Sequence, residues 1–205
     1  GNEVLYKRKG EKRFKTLFEG FDYDYMILDC YEDTALILTN NDAPNYRLIA
    51  VDLTTRECRD LIPQTEHPLE EVGTVGNYLF AFYLIDAQNK VLQYDRKGNL
   101  IRDVELPAIG AVGGFDGKRE DDHAYYLVTN YTTPGNIYHY DLASGKSTLY
   151  HASEVKFDTT DYTTSQIFFT SKDGTRVPMF VSHKKGLKLN GKNPCYLYGY
   201  GGFQI

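Results

Sequence analysis

An apolar run that closes on an aspartate recurs three times along this chain, as Tyr46-Arg47-Leu48-Ile49-Ala50-Val51-Asp52, Val91-Leu92-Gln93-Tyr94-Asp95 and Ile137-Tyr138-His139-Tyr140-Asp141. The aspartates are spaced by 43 and then 46 residues. A repeat of about 40–50 residues is the period of four-stranded propeller blades. A carboxylate at the end of a strand accepts hydrogen bonds from the next backbone N–H groups and so starts a turn. The runs accordingly lead into hairpins at Lys97-Gly98 and Ser144-Gly145. The role of Asp52, Asp95 and Asp141 is therefore structural rather than catalytic. The predicted fold class is mainly β: a partial β-propeller made of a remnant plus three four-stranded blades, followed by the opening strands of a second domain.

Four strands fit each unit. The first takes Tyr25 to Asp29, Ala35 to Thr39, Arg47 to Asp52 and Cys58 to Ile62. The second takes Glu70 to Val75, Tyr78 to Ile85, Val91 to Asp95 and Leu100 to Leu106. The third takes Ile109 to Phe115, Ala124 to Asn130, Asn136 to Asp141 and Ser147 to His151. With 18 Tyr, 11 Phe, no Trp and 2 Met, the composition favours strands over helices. Glu3 to Lys7 and Arg13 to Phe18 read as the outer hairpin of an earlier blade, its lysines and arginines discouraging strand addition at an edge. Three blades and a remnant do not close a ring, so such an array leaves two faces uncovered. The run Arg119-Glu120-Asp121-Asp122 reads as a solvated loop.

The repeat ends at His151, and the polar stretch Ala152 to Asp161 marks a boundary between residues 1–153 and 154–205. Beyond it, Thr164 to Thr170 and Arg176 to His183 flank Lys172-Asp173-Gly174-Thr175, a strong hairpin signal. Pro178 puts the second strand at an edge or a bulge. After the Gly- and Lys-rich connection 185–192, Pro194 opens the apolar run Cys195 to Tyr198, expected as a strand buried on both faces. It empties into Gly199-Tyr200-Gly201-Gly202-Phe203. Glycine permits sharp turns and close approach of backbone to ligand, and ligands bind beyond the carboxyl ends of strands in open α/β sheets. This stretch is thus a candidate site wall with the Tyr200 hydroxyl as its polar handle. The alternative is a tight β-turn with incidental aromatics.

A formal charge of −5 argues against a nucleic-acid partner. No apolar run reaches the length of a membrane span, and no secretory leader opens the chain. Neither membrane nor nucleic acid is expected as a partner, and the compartment stays open between cytoplasm and periplasm. Cys30, Cys58 and Cys195 form neither a disulfide framework nor a metal cluster and are expected as buried free thiols. His67, His123, His139, His151 and His183 lack metal-ligand spacing, and no metal or other cofactor is implied.

Gln166 to Phe203, QIFFTSKDGTRVPMFVSHKKGLKLNGKNPCYLYGYGGF, resembles the junction between propeller and α/β-hydrolase domain in the prolyl oligopeptidase family. Asn45 to Ile49 and Pro134 to His139 resemble propeller segments of the same family. The oligopeptidase B group usually has a serine at the place of Gly202, so Gly201-Gly202 favours the prolyl branch. The resemblance implies a seven-bladed propeller of which this chain is a later part, and a serine peptidase that cleaves short proline-containing peptides by acyl-enzyme chemistry, working as a monomer. It assigns Tyr200 as the oxyanion donor and Phe203 as a wall of the substrate-proline pocket, with Gly201 and Gly202 bending the loop between them. A phenol is a neutral, rigidly held donor suited to a developing oxyanion. The Gly-x-Ser-x-Gly nucleophile elbow occurs nowhere in the sequence, Ser144 and Ser171 lacking the flanking glycines. The family's nucleophile, acid and histidine are expected beyond residue 205, and the chain alone is expected to be inactive. Gln204, where the family often has Asn, and Cys195, where a small or apolar residue is usual, depart from the pattern without removing a role. Alternatives are a non-enzymatic propeller module and a peptidase of the acylaminoacyl or dipeptidyl type.

Overall fold

The computed structural model describes residues 1–156 and 158–200. Its elements are a hairpin, three four-stranded antiparallel sheets and a second hairpin, joined in chain order. The opening hairpin pairs β1 (Val4–Tyr6) with β2 (Lys15–Phe18). The first sheet is the meander β3 (Tyr25–Tyr31), β4 (Thr34–Thr39), β5 (Arg47–Asp52) and β6 (Cys58–Ile62). The second is β7 (Leu69–Val75), β8 (Tyr78–Ile85), β9 (Gln88–Asp95) and β10 (Leu100–Asp103). The third is β11 (Ala111–Gly114), β12 (His123–Asn130), β13 (Thr133–Asp141) and β14 (Ser147–His151). The expected strand Leu100 to Leu106 ends at Asp103, after which Val104 is buried and its N–H donates to Val91 O at 2.9 Å.

The sheets stack face to face, and the alternation of side chains along each strand divides the core between successive gaps. On β4, Ala35 and Ile37 join Val4, Tyr25 and Val51 on the side of the opening hairpin, while Leu36 and Leu38 join Leu79, Ala81 and Tyr83 of the second sheet. On β8, Phe80 and Phe82 point the other way, to Tyr126, Val128 and Tyr140 of the third sheet. A strand covered on both faces reads as a continuous apolar run, which is why β4 and β8 have no polar alternation. The third sheet is covered on one face only: Tyr126 is buried, while its neighbours Tyr125 and Leu127 are exposed. Among the described residues no helix is long and apolar enough to cross a membrane.

Between the second and third sheets the packing centres on Phe115, fully buried just after β11. Its ring stacks on Phe80 and Tyr126, each at 4.5 Å, and meets Tyr140 edge-on at 5.3 Å. The backbone there is left-handed, with φ 62°. Gly73 of β7 lies so close that a Cβ would come within 2.6 Å of the Phe115 carbonyl oxygen, so the innermost strand must carry glycine at that point.

One polar side chain lies inside this gap. Gln93 is fully buried; its Oε1 accepts from Tyr140 OH at 2.8 Å and its Nε2 donates to Leu142 O at 2.9 Å. Burial pushes the Tyr140 hydroxyl up to about 12, so it stays a donor at any physiological pH. Replacing Gln93 by methionine would strand both partners, and an unsatisfied buried polar group costs roughly 1–3 kcal/mol. Denaturant unfolding should show Gln93→Met destabilised by about that amount, with Gln93→Met/Tyr140→Phe recovering part of it. A Gln93→Met chain as stable as the parent would rule out the tie.

The three repeat aspartates occupy equivalent points, each ending the third strand of its sheet. Asp52 Oδ1 accepts from the N–H groups of Thr54 and Thr55, Asp95 Oδ1 from those of Lys97 and Asn99, and Asp141 Oδ1 from the N–H and hydroxyl of Ser144. These bonds, preceded at Asp95 by the larger effect of the Asn99 side-chain amide donating to Oδ2, hold all three carboxyls below their ordinary range. A lowered carboxyl contributes stability at pH values above its unfolded pKa and loses it as the pH falls through the folded one. The turns therefore weaken together in acid.

A second tie joins all three sheets. Asp29 of β3 accepts from Arg96, which follows β9, and from Arg119 in the loop between β11 and β12. Burial alone would raise the Asp29 carboxyl, but its hydrogen bond to Arg96 and the charges of Arg96 and Arg119 outweigh it and hold the group low. Arg119 also lies over the Tyr31 ring at 3.8 Å. The loop expected to be merely solvated thus anchors the first sheet to the third through its arginine.

The cysteines differ from expectation: Cys30, Cys58 and Cys195 are all exposed. β3 and β6 are the edge strands of their sheet, so Cys30 and Cys58 lack the covering neighbours that a central strand would give them.

Candidate functional site

The closing hairpin pairs β15 (Tyr162–Thr170) with β16 (Arg176–Lys184) in continuous register from Tyr162↔Lys184 to Thr170↔Arg176. At its turn Asp173 Oδ1 accepts from Thr175 N at 3.0 Å. Pro178, opposite Phe168, costs no ladder bond beyond β15 because this sheet has two strands and both are edges. Arg176 covers the Phe168 ring at 3.2 Å.

The hairpin is seated on the turns that join second to third strands in the second and third sheets. Gln166 Nε2 donates to Asp86 O and its Oε1 accepts from Gln88 Nε2. Arg176 lies 3.7 Å from the Asp86 carboxylate, and the hydroxyls of Thr164 and Thr132 are 3.1 Å apart. Tyr131 meets Phe180 at 6.3 Å. A cleft of ≈ 410 Å³ remains beside this seat, lined by Ala87, Ile109, Gly110, Ala111, Thr129, Asn130, Tyr131 and Phe180. On that lining Asn130 is already engaged, donating to Ile109 O at 2.7 Å and accepting from Thr132 N at 2.9 Å. The repeat aspartates and Asp33 lie on the opposite face of the array, where Leu53 N donates to Asp33 O and Leu142 N to Asp122 O.

Past β16 the chain runs through a connection braced by Asn193 Nδ2 donating to Lys188 O at 2.7 Å. The segment Cys195 to Tyr198 is not the buried strand expected of it. It joins no sheet, and Tyr196, Leu197 and Tyr198 are exposed, with the two tyrosine rings stacked at 6.5 Å. An apolar run becomes a buried strand only when a sheet offers it an edge on each side, and the described residues give it neither. Tyr200 is 64% exposed. Gly201, Gly202 and Phe203 lie outside the described residues. His183 is half-buried with Nδ1 2.9 Å from Lys184 O, and His123 pairs with Asp122 at 2.7 Å on the uncovered side of the third sheet. Among the described residues no group of three His, Cys, Asp or Glu side chains is arranged to hold a metal ion.

Comparison with known proteins bears on this arrangement. Residues 1–153 match the family model of the prolyl oligopeptidase N-terminal β-propeller domain. The chain belongs to the prolyl oligopeptidase family. Over its whole length it is 42% identical to a prolyl endopeptidase of Elizabethkingia meningoseptica, of which it spans 30%. A solved prolyl endopeptidase structure superposes with TM-score 0.81 at 37% identity, over 91% of this chain and 28% of that one. Ligand-free prolyl oligopeptidase B of Galerina marginata gives the same TM-score, 0.81, at 25% identity over 93% of this chain and 29% of that one. The sheets are therefore blades of a prolyl oligopeptidase propeller, and the chain spans under a third of the length of these relatives.

One feature of the site was out of reach of sequence reasoning. Asp86 and Gln88 carry no motif, and about 80 residues separate them from Gln166, so nothing local announces the seat. The only trace was the short turn between Ile85 and Gln88, whose Asp86 and Ala87 are both left-handed, at φ 51° and 60°.

Proposed function

We propose that this chain is the later propeller and the start of the peptidase domain of a serine peptidase that cleaves short peptides after proline. The observation that carries the reading is the 42% identity to a prolyl endopeptidase along the entire chain, hairpin and glycine-aromatic end included. Residues 1–153 supply blades, and residues 154–205 begin the α/β-hydrolase domain, its first hairpin resting on the propeller. In this reading the run Cys195 to Tyr198 takes its place as a strand when the rest of that domain provides the sheet. Tyr200 then donates its O–H to the oxyanion of the tetrahedral intermediate, Phe203 packs against the substrate proline, and Gly201 and Gly202 allow both to face one cavity. The serine, histidine and carboxylate come from sequence beyond these residues. The propeller restricts access to short peptides.

Turnover of a chromogenic peptide with proline before the leaving group tests this. A protein of the relatives' length that contains this chain should hydrolyse it, and the 205-residue chain alone should give no rate above a buffer blank. Hydrolysis that co-purifies with the short chain would overturn its proposed inactivity. A long protein that binds proline peptides without cleaving them would favour the interaction-module reading.

A further inference from the structure

The turn of the opening hairpin concentrates charge of the sign the rest of the chain lacks. Residues 7–15 hold six cationic side chains and one carboxylate, a net +5 in a chain whose formal total is −5. Some of this charge is spent internally. Arg8 pairs with Asp33 at 2.7 Å and also donates to Thr54, while Lys15 pairs with Glu11 at 2.6 Å. Among the described residues Lys9, Lys12 and Arg13 make no ion pair, and all three are exposed. Between them Phe14 is 61% exposed, with Lys7 Nζ 4.9 Å from its ring centroid. The Arg8 contacts fix the turn on the face of the propeller that carries Asp33 and the Asp52 turn, opposite the seat of the closing hairpin.

We infer that this turn is a docking surface for an anionic lipid bilayer. Exposed cations around one exposed aromatic ring suit an interface in which charge attracts phosphate and carboxylate headgroups and the ring enters the boundary region. A rod-like polyanion lying along the same face would leave the turn and meet the carboxylates of Glu32, Asp33 and Glu57, which are exposed beside it. The surface departs from the expectation drawn from composition, because net charge averages away a local patch. Docking there would leave the seat of the closing hairpin, and the proposed active site beyond it, turned to the solvent.

Flotation of the chain with vesicles tests the inference independently of peptidase activity. The chain should float with phosphatidylcholine vesicles containing about one-third phosphatidylserine and stay behind with phosphatidylcholine alone, the difference shrinking as salt is raised. Each basic residue near such a surface is worth roughly fivefold in partitioning, so Lys9→Ala/Lys12→Ala/Arg13→Ala should bind about a hundredfold more weakly. The charge-preserving Lys9→Arg/Lys12→Arg should bind like the parent, and Phe14→Ser should lose the part of binding that survives high salt. No preference for phosphatidylserine, or undiminished binding by the triple alanine variant, would overturn the inference. Tighter binding to polyuridylate or to polyglutamate than to the vesicles would overturn it in favour of a nucleic acid or an acidic protein.

Discussion

In the proposed full-length peptidase, replacing Tyr200 by phenylalanine is expected to lower kcat by about 10²–10³ while leaving KM nearly unchanged. The substitution removes one O–H donor and keeps the ring. That donor gains strength only as negative charge grows on the carbonyl oxygen, so the loss falls on the transition state rather than on substrate binding. Steady-state kinetics on several leaving groups would measure it, since a poor leaving group develops more charge before it departs. By contrast Phe203→Ala should raise KM along with any fall in kcat, because an apolar wall contacts the proline in ground and transition states alike. If Tyr200 were only a turn residue, Tyr200→Phe would be silent in rate. Wild-type kcat in that variant would remove the oxyanion role and leave the family membership intact.

Phe115→Ala should be the most damaging single change to the propeller, at about 3–5 kcal/mol. The ring touches aromatic neighbours from both flanking sheets, so truncation opens a cavity that neither sheet can close without losing its own register. Marginal stability makes that a large share of what holds a domain of this size folded. Phe115→Leu, which keeps most of the volume, should cost clearly less. Denaturant midpoints for the two variants would show the ordering, and equal midpoints would mean that the stack contributes little.

The propeller was readable because its signals are local. The Asp-terminated runs, the glycine turns after them and the apolar strands covered on both faces each arise within one blade, and β3 to β9 fall at or within three residues of the expected places. What went unread depends on partners far away in sequence. Asp29 meets Arg96 and Arg119 across 67 and 90 residues, with nothing near any of the three to mark it as the hub of a three-blade tie. The cysteines were misplaced because thiols favour the inside on average, while edge strands set the exposure of Cys30 and Cys58. At the candidate site, a motif singles out Tyr200 as a candidate, but no motif supplies a neighbouring strand. The run before it has the composition of a core strand and, in the described residues, nothing to pair with.

The placement of the closing hairpin divides the propeller into two sides with different tolerance for change. Gln166 and Arg176 rest on the Asp86-Ala87 turn, whose left-handed backbone disfavours a β-branched substitution. The opposite side carries the Asp52, Asp95 and Asp141 turns, away from the closing hairpin. A lengthened loop or a purification handle placed at the Asp95 or Asp141 turn, away from the basic opening turn, would leave the seat of the closing hairpin undisturbed.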